Sequence, residues 1–195
     1  MTPEQKSSWR LFCAVNLPGE LKARAAEHQG HLRAAAPHVR ASWEQPGKLH
    51  LTLKFLGEIE LPRVEALTRA AGRAAEGLRR FELSVAGTGS FPPRGAPRVL
   101  WLGVEDASGL LARLHVRLEE ECAREGFPRE SKPFRPHLTL ARLRSREGAE
   151  RLAALHRESR FEPQTFEVSE LVVVRSELLP GGARHTPISR HQLVG

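Results

Sequence analysis

The sequence has 195 residues, of which 40% are hydrophobic, and these values suit one globular domain rather than a disordered chain. The 30 Lys and Arg residues outnumber the 23 Asp and Glu residues, and the net charge of +7 favours RNA, DNA or an anionic membrane as partner without choosing between them. Cys13 and Cys122 have neither CxxC spacing nor a disulfide-rich pattern around them, which argues against a disulfide scaffold.

These features also lead us to expect a cytoplasmic protein. Few cysteines are typical of proteins from a reducing compartment. The first residues lack the apolar run of a signal peptide, and no segment is apolar over the length that spans a bilayer. We therefore expect no contact with membrane, and a monomer is the default expectation for the oligomeric state.

The first half of the chain alternates strand and helix patterns that are bounded by Pro and Gly. The predicted elements are a strand at 9–17, a helix at 20–36, an extended piece at 39–43, a strand at 49–56, a helix at 62–78, and two paired strands at 81–85 and 98–104. A Gly- and Pro-rich segment is predicted to join the last two as a loop.

The second half repeats this rhythm. Its predicted elements are a helix at 108–124, a strand at 137–143, a shorter helix near 147–156, one strongly apolar strand at 166–175, a turn at 180–182 and a last strand. The repetition predicts two similar lobes. Helices interleaved with hairpin-like strands predict an α+β fold with largely antiparallel sheets, formed by residues 1–195 as one domain.

The tetrapeptide His-Leu-Thr-Leu occurs twice, at His50 and again 87 residues later at His137. Because strand side chains alternate between faces, His50 and Thr52 share one face, and His137 and Thr139 repeat the arrangement. A single copy would suit an ordinary strand whose Thr reflects strand propensity. Two matched copies predict a shared site.

Two histidines suit general acid and base catalysis at phosphorus, because an imidazole titrates near neutral pH. One histidine would activate water and the other would protonate the leaving oxygen. The two Thr hydroxyls would donate hydrogen bonds to the phosphate oxygens. This scheme uses no metal and no cofactor, and a metallo-phosphoesterase would need clustered Asp and His ligands that the sequence does not show.

The chain also resembles the 2H phosphoesterase superfamily, and within it the bacterial and archaeal RNA 2′,3′-cyclic phosphodiesterases, which are also called 2′-5′ RNA ligases. The resemblance runs nearly end to end. It rests on the blocks RLFCAVNLP at 10–18, LHLTLKFLGE at 49–58, PRVLWLGV at 97–104, KPFRPHLTLAR at 132–142 and RSELLPGGARH at 175–185.

The resemblance implies a bilobal fold with one motif strand from each lobe in a central cleft. It implies that His50 is the proton donor to the ribose 3′ oxygen, that His137 is the acceptor that activates water, and that Thr52 and Thr139 hold phosphate. The expected substrate is RNA with a 2′,3′-cyclic phosphate end, and the expected product is a 2′-phosphomonoester. Reversal with an RNA 5′-hydroxyl implies 2′-5′ ligation without ATP.

Two positions need separate comment. Arg142 matches an Arg that binds phosphate in similar proteins, although strict alternation would turn it away from His137 unless a bulge or the strand end intervenes. His185 stands where the family pattern has Tyr, so the chain departs from the family at a position that borders the expected cleft.

The remaining histidines are interpreted as residues of the solvated surface, because no third ligand completes a metal site beside His28 and His31. The same interpretation covers His38, His115, His156 and His191. Trp43 suits either base stacking or core packing, and Lys132 and Arg135 suit either steering of RNA or an ordinary charged surface. Two other functions stay open: a phosphodiesterase for small cyclic nucleotides, and an RNA-end binding module without catalysis.

Overall fold

A computed structural model describes residues 7–180 and 182–195. The strands are β1 Ser8–Asn16, β2 Ala41–Trp43, β3 His50–Glu60, β4 Phe81–Phe91, β5 Val99–Glu105, β6 His137–Leu143, β7 Gln164–Val168, β8 Glu170–Leu179 and β9 Gly182–Gln192. The α-helices are α1 Gly19–Ala35, α2 Val64–Ala75, α3 Leu110–Arg124 and α4 Ala149–Glu158. Gly181 of the predicted turn and the first six residues lie outside the described residues.

The strands form two antiparallel sheets. One has four strands in the order β3-β1-β8-β9, and the other has five in the order β2-β6-β5-β4-β7. Each sheet contains one His-Leu-Thr-Leu strand, β3 in the first and β6 in the second. The predicted α+β class with two similar, mainly antiparallel halves is therefore confirmed.

One large apolar core joins both sheets to α2 and α3. Leu111, Leu114 and Leu118 recur at helical spacing on α3 and are all buried there. From the sheets, the core receives alternate residues such as Leu51 of β3 and Leu138 of β6. Alternation therefore turns the histidine and threonine of each motif strand away from this core.

The prediction of a single strand at 166–175 is wrong. β7 ends at Val168 and β8 begins at Glu170, and these two strands belong to different sheets. The apolar run conceals the crossover because both strands supply core residues. The burial pattern nevertheless changes there: β7 alternates, whereas Leu171–Val174 are buried on both faces of their sheet.

The prediction that β4 ends at residue 85 is also wrong, because the strand continues to Phe91. The glycines of this segment indicated a loop. Gly87 has φ +74° and lies where the pairing register between β4 and β5 shifts, which is a conformation that favours glycine. A Cβ atom on Gly89 would lie 2.1 Å from Cζ2 of Trp101, so Gly89 leaves room for that ring.

Candidate active site

The two motif strands meet at one small cavity of about 80 Å³. Its lining includes all five residues that the sequence predicts for the site: His50, Thr52, His137, Thr139 and Arg142. β3 and β6 come from different sheets, so the cavity is the place where the two lobes face each other. Both histidines and both threonines are partly exposed, which leaves their polar atoms accessible.

The two histidines have matching hydrogen bonds. Nδ1 of His50 lies 2.7 Å from the carbonyl oxygen of Lys48, and Nδ1 of His137 lies 2.7 Å from that of Arg135. Because a carbonyl only accepts hydrogen bonds, each Nδ1 carries the proton and donates it. Nε2 is then the nitrogen of each ring that can exchange a proton with a ligand. The sequence shows no signal for these backbone acceptors.

A β-bulge explains how Arg142 reaches the cavity. The pairing of β5 with β6 passes from Leu100 opposite Ala141 to Trp101 opposite Thr139, so Leu140 has no partner on β5. The extra residue shifts the alternation by one, and Arg142 lies on the side of His137. A bulge was one of the two conditions under which the sequence allowed Arg142 to line the site. Its contact with phosphate stays a prediction.

β3 contains a similar bulge. Its pairing with β1 passes from Lys54 opposite Cys13 to Thr52 opposite Ala14, so Leu53 has no partner. Leu53 and Lys54 are consequently both buried, and the next residue, Phe55, is exposed near the site. The two motif strands therefore share the bulge as well as the His and Thr residues.

His50 lies in a cluster of aromatic rings. It stacks on Phe12 with 4.6 Å between ring centroids, and the ring of His185 stands edge-on at 5.2 Å from both. Burial lowers the pKa of His50, and the charge of Lys22 adds to this effect. Burial, together with the neighbouring His50 and Lys48, lowers the pKa of His185 to about 4, so this ring is neutral near pH 7.

Glu44 also lines the cavity of the two histidines, and the sequence analysis missed it. It directly follows β2, and its backbone N–H donates to the carbonyl oxygen of Leu140 at 2.8 Å, at the bulge of β6. Burial raises the pKa of its carboxyl group, while the charges of Lys48 and Arg142 act in the opposite direction. The position of Glu44 is fixed by β2, whose three residues pair with β6. A strand of three residues is too short to be recognised from the sequence.

A larger cavity of about 530 Å³ adjoins the small one, since Thr52 and His137 line both. Phe55, Phe91 and Phe134 contribute its aromatic lining. The ring of Phe134 stacks on His115 at 4.0 Å between centroids. Lys132 and Arg135, the two cations noted beside the second motif, also lie along this cavity.

The expectation that His28 and His156 lie on solvated surfaces is wrong. Both rings are buried, with 2.9 Å between Nε2 of His28 and Nδ1 of His156. Nε2 of His156 lies 2.9 Å from the carbonyl oxygen of Trp101. These residues join α1, α4 and β5, so they are structural hydrogen-bonding residues, and helical periodicity alone does not reveal such a pair.

The other surface interpretations have mixed outcomes. His31 and His38 are exposed as expected, whereas His115 is half-buried against Phe134 and His191 is partly buried. Trp43 packs against the smaller apolar cluster between α1, α4 and the five-stranded sheet, with the guanidinium of Arg33 5.0 Å from its ring. This location favours core packing over base stacking.

Two features of the described residues bear on other functions. Across residues 7–180 and 182–195, no group of three or more His, Cys, Asp or Glu side chains is placed to bind a metal ion. Within the same part of the chain, every helix falls short of the length and apolarity that crossing a membrane requires.

Comparison with known proteins gives one consistent family. The family model described as the 2′-5′ RNA ligase superfamily matches residues 17–178. The RNA 2′,3′-cyclic phosphodiesterase of Methanothermobacter thermautotrophicus is 35% identical, with 94% of this chain and 98% of the relative covered. That of Thermus thermophilus is 36% identical, with 95% and 91% covered. The crystal structure of the Thermus thermophilus protein TT0787 superposes with a TM-score of 0.78 at 32% identity, over 95% of this chain and 98% of that one.

Proposed function

Because the chain belongs to the 2′-5′ RNA ligase superfamily, we propose that it hydrolyses 2′,3′-cyclic phosphate ends of RNA to 2′-phosphomonoesters. The observation that carries this proposal is the matched pair of histidines. Both donate Nδ1–H to a backbone carbonyl and line one cavity with two threonines and an arginine. The arrangement supplies one proton acceptor, one proton donor and a set of phosphate-binding groups.

In the proposed reaction, neutral His137 accepts a proton from water at Nε2 while the water oxygen attacks phosphorus. The bond from phosphorus to the ribose 3′ oxygen breaks, and His50 donates its Nε2 proton to that oxygen. The hydroxyls of Thr52 and Thr139 and the guanidinium of Arg142 stabilise the charge on the non-bridging oxygens. Exchange with solvent then returns one proton to His50 and removes one from His137.

The surroundings of His50 are compatible with the role of proton donor only once substrate is present. Burial and Lys22 lower its pKa in the free protein. A bound phosphate is an anion beside the ring, and an adjacent negative charge raises the pKa of an imidazole. The substrate therefore promotes the protonation of the group that is to protonate its leaving oxygen.

The aromatic cavity favours an RNA end as substrate. A base of the terminal nucleotide can stack on Phe55 or Phe91, as bases of single-stranded RNA commonly do on aromatic side chains. Lys132 and Arg135 can then attract the phosphates of the preceding nucleotides. A small cyclic nucleotide would fill the same cavity without using these cations, so the length of the RNA distinguishes the two substrates.

The same groups allow a ligation, in which an RNA hydroxyl takes the place of water. If the 5′-hydroxyl of a second RNA replaces water, His137 accepts its proton while its oxygen forms the new bond to phosphorus. The bond from phosphorus to the ribose 3′ oxygen breaks, His50 protonates that oxygen, and the product contains a 2′-5′ linkage. The strained ring supplies the driving force, so ATP is not needed.

We further propose that residues 1–195 act as one domain, as a monomer and in the cytoplasm. Support for the first point is the apolar core that the two sheets share, and the monomer is proposed as the default state. Support for the third is that Cys13 and Cys122 are buried free thiols, which suits a reducing compartment.

The test is an assay in excess EDTA of a short RNA that ends in a 2′,3′-cyclic phosphate, with identification of the product end. Wild-type protein is expected to yield the 2′-phosphate. His50→Ala and His137→Ala are each expected to lose about 10²–10⁴-fold in rate, because each removes one positioned proton transfer. His31→Ala, which changes an exposed histidine, is the matched control and should retain full activity.

Two results would contradict the proposal. Activity that disappears in EDTA and returns with added metal would rule out the two-histidine mechanism. Absence of turnover in both conditions would favour the RNA-end binding module, provided that the RNA still binds.

A further inference from the structure

A carboxylate lies in the cavity that binds phosphate in the proposed function. Glu44 lines it together with His50, Thr52, His137, Thr139 and Arg142. Its backbone is fixed by the hydrogen bond to Leu140 at the bulge, so the side chain is held next to the site. A negative group beside a phosphate weakens binding, and none of the proposed chemical steps uses it.

The charge of the ligand changes during the proposed reaction. The cyclic phosphodiester has one negative charge. The phosphomonoester product has a charge between about −1.5 and −2 at pH 7, since its second pKa is about 6. Because the interaction between two charges is proportional to each of them, a fixed carboxylate repels the product up to about twice as strongly as the substrate.

The cations around the cavity favour the more negatively charged ligand. Arg142 lines it, and Lys48 lies close enough for both cations to act on the Glu44 carboxyl group. Without a compensating negative charge, these cations would bind the dianionic product more tightly than the substrate, and product would accumulate on the enzyme.

We propose that the Glu44 carboxylate makes the site selective for the charge of the ligand, so that it retains the monoanionic cyclic phosphate and releases the dianionic 2′-phosphate. Glu44 is thereby a specificity-determining residue, and its role rests on the function proposed above. It does not transfer a proton in the reaction.

The test uses two ligands that differ in charge but hardly in shape. They are 3′-deoxyadenosine 2′-phosphate, a dianion at about pH 8, and its methyl ester, which stays a monoanion and has no 3′-hydroxyl that could attack it. Calorimetric titration gives Kd for both ligands with wild-type protein, with Glu44→Gln and with Glu44→Asp. Glu150→Gln, at an exposed position in the first turn of α4, is the matched control.

We expect Glu44→Gln to tighten binding of the methyl ester by about threefold and of the phosphate by about tenfold, because the factor for two charges is the square of the factor for one. Glu44→Asp, which keeps the charge, and Glu150→Gln should leave the ratio of the two Kd values as in wild type. Inhibition of turnover by the 2′-phosphate should become correspondingly stronger in Glu44→Gln.

Equal changes for both ligands, or no change, would overturn the charge selectivity. A loss of about 10²-fold or more in kcat with unchanged Kd values would also overturn it, since that result would make Glu44 a proton-transfer group. These failures differ from failure of the proposed function, in which wild-type protein neither opens the cyclic phosphate nor binds the 2′-phosphate.

Discussion

The imidazole rings of His50 and His137 are bonded alike but have different neighbours. His50 stacks on Phe12 and has Lys22 close enough to affect its pKa. His137 instead has the edge-on ring of Phe91 at 5.1 Å between centroids and is the more open to the large aromatic cavity. The two rings therefore share the same kind of hydrogen bond but have different surroundings.

This difference predicts the pH dependence of the reaction. Because His50 must be protonated to act and its pKa is lowered in the free protein, the fall in kcat/KM with rising pH should already begin below about pH 6.5, the ordinary pKa of an imidazole. The bound phosphate raises that pKa, so the corresponding fall in kcat should occur at higher pH. Initial rates between about pH 5 and pH 9 measure both profiles.

The lowered pKa of His50 depends in part on the charge of Lys22, which a substitution can remove. Lys22→Met should shift the fall in kcat/KM to higher pH, because the positive charge of Lys22 disfavours protonated His50. The assignment of His50 as the proton donor would be contradicted if kcat and kcat/KM fell at the same pH and if Lys22→Met left that pH unchanged.

At the scale of elements, strand alternation was sufficient to predict the positions of the motif residues but not of Arg142. His50, Thr52, His137 and Thr139 precede the bulges, and period two places them correctly. Arg142 comes after a bulge, so its side of the strand depends on one unpaired residue. A bulge leaves little sequence signal, because Leu140 and Ala141 suit an ordinary strand equally well.

The other errors have the same physical origin, since the tertiary contacts override a local pattern. In the sequence, Gly89 indicates a loop. In the structure it lies within β4, where the ring of Trp101 occupies the space that a side chain would fill. In the sequence, Ser169 suits the interior of a strand. In the structure it lies between β7 and β8, where the chain passes from one sheet to the other. Glu44 and the pair of His28 and His156 depend on elements distant in sequence, and only the fold brings them together.

The bulge of β3 buries one partner of an ion pair, and we expect the loss of that partner to destabilise the fold. It buries Lys54, whose Nζ lies 2.7 Å from Glu119 of α3 and donates to the carbonyl oxygen of Pro128 at 2.8 Å. Lys54→Met would leave a buried carboxylate unpaired, so we expect a loss of about 3–5 kcal/mol in the free energy of unfolding. Urea denaturation measures this change.

Two further variants separate burial from charge pairing. Arg24→Met breaks the exposed pair with Glu27 and should cost less than about 1 kcal/mol. Adding Glu119→Leu to Lys54→Met should recover part of the loss, because it removes the unpaired charge. A cost for Lys54→Met as small as that of Arg24→Met would show that the buried pair contributes little.

At the scale of the whole molecule, the stability of the fold is linked to pH through the His28 and His156 pair. The carbonyl oxygen of Trp101 accepts from Nε2 of His156, so Nδ1 of neutral His156 accepts from Nε2–H of His28. His156 must be neutral to accept this hydrogen bond, whereas the charged form of His28 is disfavoured by burial and by the neighbouring ring. Burial lowers the pKa of His156, and burial with the neighbouring His156 lowers the pKa of His28 to about 4.

An unfolded chain binds these protons near pH 6.5, whereas folded His28 binds its proton only near pH 4, so stability should fall as the pH is lowered between these values. For His28 we expect a loss of about 2 kcal/mol, since each pKa unit corresponds to about 1.4 kcal/mol and solvent screens part of it. His28→Gln keeps an N–H donor but does not titrate, and urea denaturation should show that it loses part of this pH dependence. His38→Gln, at an exposed position between α1 and β2, should keep the wild-type dependence; equal slopes for all three proteins would remove His28 from the linkage.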